Sequence, residues 1–174
     1  MKRFWWIISG LSILAITGTM ATLHIEDIIK LLPKNTKKHY GKRKLWQINT
    51  IVVHHSAIDG FNAFDYARWH IKRGWPGIGY HFVIDTDGKV EQTNDLTTLS
   101  YHVKGYNTQS IGISMSGNLS KHPATKAQMD ALIKLIKKLK KDFSTPLLVK
   151  GHGELTRTEC PGKFTNMNVI RSLT

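Results

Sequence analysis

The sequence holds a single cysteine, Cys160, in 174 residues, which excludes any intramolecular disulfide. That thiol is left as a small buried hydrophobe, a reactive group or a metal ligand. Acidic residues are scarce: 12 Asp+Glu stand against 25 Lys+Arg, a formal charge of +13 that suits a polyanionic neighbour. No zinc-finger spacing, RNA-recognition signature or Gly-rich phosphate loop accompanies that charge, so nucleic acid is set aside as a partner. Internal repeats and low-complexity tracts are also absent. With 21% charged and 41% hydrophobic residues the chain is too apolar for a disordered polyelectrolyte, and its length allows one domain with a short appendage.

The N-terminal end is where the sequence is least ordinary. Residues 4–23, FWWIISGLSILAITGTMATL, carry no charge and follow Lys2 and Arg3. As a helix they span roughly 30 Å, the hydrocarbon thickness of a bilayer. They are read as an uncleaved transmembrane anchor, with an export signal as the alternative. HIEDIIKLL, residues 24–32, suits a short amphipathic helix, and the six bases between Lys34 and Lys44 read as the rest of a basic linker, 24–44. Single-pass insertion in the cytoplasmic membrane, with the domain on the outer side, is the expected topology; a protein exported after signal cleavage is the alternative.

The folded domain is placed at residues 45–174. QINTIVVHHS (47–56) reads as a buried strand, and GYHFVID, Asp87-Gly88 and KVEQ as a hairpin. SIGISMSG (110–117) and PLLVKGH (146–152) are further strands. Residues 62–75 suit a helix with Phe64, Ala67, Trp69 and Ile71 inward. A longer helix opens at Thr125 with Gln128 completing a capping box, and a last one holds Met167 to Leu173. Strands interleaved with helices predict one α/β domain, a mixed central β-sheet flanked by helices, preceded by the transmembrane helix.

His54 and His55 close one apolar strand, His152 follows another, and Cys160 lies eight residues after His152. Two imidazoles and a thiolate make a ligand set for zinc that leaves a fourth position open. No HExxH or CxxC motif reinforces it, so these residues alone leave a zinc hydrolase as one reading beside structural histidines and a core cysteine.

The segments VVHHSA, GWPGIGYHFVI, HVKGYNTQSIGI and GHGELTRTECPG, in this order, resemble the signatures of the zinc-dependent N-acetylmuramoyl-L-alanine amidases, a family that includes phage lysozyme-type amidases and animal peptidoglycan recognition proteins. The resemblance spans about residues 47–172. It implies zinc held by His54, His152 and Cys160, Tyr80 beside the reacting water, and Thr158 where some members carry a catalytic lysine. It points to His102 and Asn107 as substrate contacts, with Trp75 and Lys104 as further candidates. The implied activity is hydrolysis of the amide between N-acetylmuramic acid and L-alanine in peptidoglycan or muropeptides, by a monomer without an organic cofactor. A non-catalytic peptidoglycan-binding module is the alternative. By strand alternation His55 and His81 should face away from the site.

Overall fold

Residues 50–55 run Thr-Ile-Val-Val-His-His, and every one of them is buried, as expected of a strand covered on both faces. In the computed structural model, which describes residues 22–174, this segment is one of six strands in the main sheet. In chain order these are β1 (Ile25–Asp27), β3 (Thr50–His55), β4 (Phe82–Ile84), β5 (Val90–Gln92), β7 (Ser110–Met115) and β8 (Leu148–Gly151); β2 (Gly41–Lys42) and β6 (Thr98–Leu99) form a separate pair. The spatial order is β1-β5-β4-β7-β3-β8. Only the β4–β5 hairpin is antiparallel within it, closed by Gly88 at φ 87° where the Asp-Gly turn was expected.

Among the described residues three α-helices cover the sheet: α1 (Ala63–Lys72), α2 (Lys126–Asp142) and α3 (Met167–Ser172). Thr125 caps α2 and Gln128 answers it, while Leu132, Leu135, Ile136 and Leu139 pack with Ile51, Val53, Ile84, Ile111, Ile113 and α3's Ile170. Each such fully buried side chain contributes about 1.5–3 kcal/mol of transfer free energy. Ala63, Tyr66 and Ala67 of α1 join Val83, Ile28 and Leu32 in a smaller cluster. The inward face of α1 differs from the expected one: Tyr66 and His70 are buried, whereas Trp69 is 44% exposed.

The N-terminal region needs correction. Among the described residues no helix is long and apolar enough to cross a membrane. Most of the expected span lies outside the described residues; its last two positions, Thr22 and Leu23, are not helical, and Leu23 packs against the core. Among the described residues, therefore, the mixed α/β domain is not preceded by a membrane-crossing helix, and the membrane has no support as a partner. Residues 24–44 also differ from a solvated linker. Ile25–Asp27 add a parallel edge strand to β5 instead of a helix, because Ile28 and Leu32 bury themselves on the domain. Arg43 is 4% exposed.

Candidate functional site

β3 and β8 are parallel neighbours, so their carboxyl ends open at the same edge of the sheet. His54 stands at that end of β3, and His152 begins the turn that follows β8. Cys160 arrives from the next loop. One ligand atom from each of the three lies within 4.8 Å of the others, and Cys160 Sγ is 3.6 Å from His54 Nδ1. Two atoms bound tetrahedrally at zinc–sulfur and zinc–nitrogen lengths sit about 3.6 Å apart, so this donor set fits zinc.

The protonation states suit ligation. Burial, then the imidazoles of His102 and His152, hold His54 well below its ordinary pKa, and burial lowers His152, so both rings keep a lone pair. Burial pushes the Cys160 thiol up to about 12, and the His55 N–H, 3.4 Å from Sγ, opposes that rise. A bound cation favours the thiolate further.

Tyr80 stands over the cluster with its ring 5.3 Å from that of His54. Burial, and then Cys160, raise its pKa, so the phenol keeps its proton as a donor. The metal-ligand candidates, Tyr80, Arg73 and Thr158 line a cavity of about 380 Å³. A wider cavity of about 760 Å³ adjoins it, sharing Trp75, Tyr101, His102 and His152 and adding Lys104 and Asn107. Among the described residues neither cavity is lined by a carboxylate.

The sequence profile of the N-acetylmuramoyl-L-alanine amidases matches residues 44–163. The chain belongs to this family. The amidase is 34% identical to the endolysin of Klebsiella phage KP32 over 133 residues, which covers 72% of this chain and 86% of that one. Its fold is similar to the N-acetylmuramoyl-L-alanine amidase LysC from Clostridium intestinale (TM-score 0.75, 27% identity, 87% of this chain and 97% of that one). It is also similar to a chain from the ectodomain complex of peptidoglycan recognition proteins LCa and LCx bound to tracheal cytotoxin (TM-score 0.73, 26% identity, 84% and 94% covered).

Not every residue marked in the amidase sequence faces the cavity in the way expected. The His102 ring is buried, with Nδ1 3.1 Å from His54 Nε2 and Nε2 3.2 Å from the Ser110 carbonyl. Asn107 Oδ1 accepts from the backbone N–H groups of His102 and Val103 and so shapes their loop. Thr158 Oγ1 accepts from the Cys160 N–H at 3.3 Å, and Glu154 is engaged by the Gly151 N–H and Arg171. His55 was expected to face away, but it lines the smaller cavity beside His54, with its Nδ1 accepting from the Leu119 N–H. Tyr80 and His81 precede β4, so strand alternation does not govern them; the His81 ring is fully buried 5.7 Å from that of His102.

Tyr101, His70 and Arg73 are among the cavity residues that escaped the sequence. His70 Nδ1 accepts from the Gly79 N–H, which leaves its proton on Nε2, and the ring stacks on Trp75 at 4.5 Å. Arg73 lies over both Trp69 and Trp75. An apolar helix face containing a histidine, followed by a Trp-X-X-X-Arg-X-Trp pattern of mixed character, gave no signal that separates packing from function.

Proposed function

We propose that this amidase is a zinc enzyme that hydrolyses peptidoglycan at the amide between N-acetylmuramic acid and L-alanine. The observation that carries this reading is the convergence of His54, His152 and Cys160 at the carboxyl ends of two adjacent strands, beside a protonated tyrosine.

His54, His152 and Cys160 would hold the metal, whose chemistry is Lewis-acid polarisation of a carbonyl and a lowering of water's pKa from about 15.7 to about 7. The thiolate of Cys160 places one negative charge in the site, and the His55 N–H supports it. Tyr80 donates its phenolic hydrogen toward the carbonyl oxygen as negative charge develops there, which a neutral phenol with a raised pKa does without losing its proton. The wider cavity offers aromatic faces at Trp75 and Tyr101 and a cation at Lys104. Together with the lack of lining carboxylates, these suit a glycopeptide that carries carboxylates of its own. Thr158, bound to the Cys160 amide, supplies a hydroxyl and no cation, so charge stabilisation falls to the metal and Tyr80.

The related recognition proteins bound to tracheal cytotoxin motivate a second reading, in which the chain binds muropeptide without cutting it. The complete donor set beside Tyr80 favours hydrolysis. Incubating the zinc-loaded chain with purified peptidoglycan separates the two: hydrolysis at this amide releases new amino groups without new reducing ends, and mere binding releases neither.

A further inference from the structure

The imidazole of His102 sits behind His54, and the proton positions along this contact follow from its far end. Ser110's carbonyl can only accept, and Ser110 Oγ spends its hydrogen on the Tyr106 carbonyl at 2.7 Å. His102 Nε2, 3.2 Å from both Ser110 oxygens, therefore carries the proton. Its Nδ1 is left with a lone pair, and His54 Nε2 must donate to it across 3.1 Å. That leaves the lone pair of His54 on Nδ1, the atom nearest Cys160 Sγ.

The chain of contacts continues away from the site. The same Ser110 carbonyl accepts from Arg43 Nη1 at 2.5 Å, and Nη1 also reaches the carbonyls of Asn107 and Thr108 at 2.8 and 3.2 Å. Arg43 Nε holds the Leu96 carbonyl at 2.7 Å. One buried guanidinium thus pins the ends of the loop that carries His102, and Arg43 lies just outside the segment matched by the family profile. Gly112 leaves room for the ring, since a Cβ there would lie 2.6 Å from His102 Cγ.

We propose that His102 is a positioning residue, held through Ser110 by Arg43, which fixes the ring orientation and tautomer of His54 and presents Nδ1 to the metal. It rests on the reading of His54, His152 and Cys160 as a metal site. It differs from the role in substrate contact that the sequence resemblance implies.

The test is the zinc affinity of the full-length chain, measured by competition with a chromophoric chelator, for the parent, His102→Leu, His102→Asn and Arg43→Lys, with KM determined alongside. Loss of the acceptor in His102→Leu should weaken zinc binding by about ten- to a hundredfold, as removal of a partner behind a ligand does. His102→Asn should recover most of it, because its Oδ1 can stand where Nδ1 stood. Unchanged zinc affinity in His102→Leu with only a raised KM makes His102 a substrate contact and overturns the proposal. Should His102→Leu fail to fold, Arg43→Lys decides: a fall in zinc affinity supports the chain of contacts, and parental affinity refutes it. A parent chain that takes up no zinc overturns the metal reading itself, a result distinguishable from failure of the positioning role.

Discussion

His54 Nδ1 and Cys160 Sγ lie 3.6 Å apart although 106 residues separate them in the chain. The pairing of β3 with β8 makes that proximity possible, since it puts the turn bearing His152 and the loop bearing Cys160 over the end of the strand that carries His54. Two imidazoles and a thiol thus converge in one cavity, a donor set that fits zinc.

The first prediction concerns that pair. The parent should bind about one zinc per chain, and Cys160→Ala should lose most of it. A metal that binds only the folded state adds about 4 kcal/mol at a thousandfold excess over its Kd, so a chelator should lower the parent's Tm and leave that of Cys160→Ala unmoved. Elemental analysis and thermal melts check both; full zinc content in the variant removes Cys160 from the ligand set.

Removing one hydroxyl tests Tyr80. Tyr80→Phe should keep its fold and its zinc while turnover falls about a hundredfold or more, the usual cost of losing a donor to the developing oxyanion. Turnover near that of the parent would assign the phenol to packing against His54.

Acid should destabilise the metal-free protein through its buried imidazoles. Burial, with a smaller effect of Arg73, holds His70 down to about 4, against about 6.5 in an unfolded chain. Between those values the unfolded state binds more protons, so the contribution is complete above about pH 6.5 and is lost as pH falls toward 4. The slope from His70 reaches about 1.4 kcal/mol per pH unit. Burial lowers His54, His81 and His102 as well and steepens the total. His70→Asn, which keeps an acceptor for the Gly79 N–H, should flatten the urea-derived stability profile in this window; an unchanged slope contradicts the assignment.

Arg43 gives a prediction about the N-terminal segment. Arg43→Met leaves the carbonyls of Leu96, Asn107, Thr108 and Ser110 without this donor, and unmet buried polar groups cost about 1–3 kcal/mol each. Allowing for relaxation, a loss of about 3 kcal/mol in unfolding free energy is expected. A chain begun at Leu45, the boundary that composition suggests, also loses β1 and should be less stable still; equal stability of the two chains would return residues 24–44 to the status of a linker.

Legibility in the sequence followed burial. β3 and β7 were readable because both faces are covered and their residues form apolar, β-branched runs. The α2 cap was readable because Thr125 and Gln128 satisfy backbone groups locally, and the Asp87-Gly88 turn because only a residue free at positive φ closes it well. β1 was hidden: Ile-Glu-Asp is too short to show alternation, and its pairing with β5 is set by distant contacts. Arg43 was hidden for a different reason. Its acceptors are four carbonyls, all neutral, and no local pattern distinguishes such an arginine from the exposed lysines around it. At the site, residue types and spacing offered His54, His152 and Cys160 as one possible ligand set and the family resemblance added Tyr80, whereas the contact of His102 with His54 depends on how a loop folds back onto the sheet.

The most direct test of the account is mass spectrometry of purified peptidoglycan digested by the full-length chain, once stripped of metal and once reloaded with zinc. The account predicts that only the zinc-loaded protein releases stem peptides with a free L-alanine amine, leaving glycan strands whose muramic acids keep an intact lactyl carboxylate. Fragments cut within the peptide or between sugars, or equal release by the stripped protein, would contradict it.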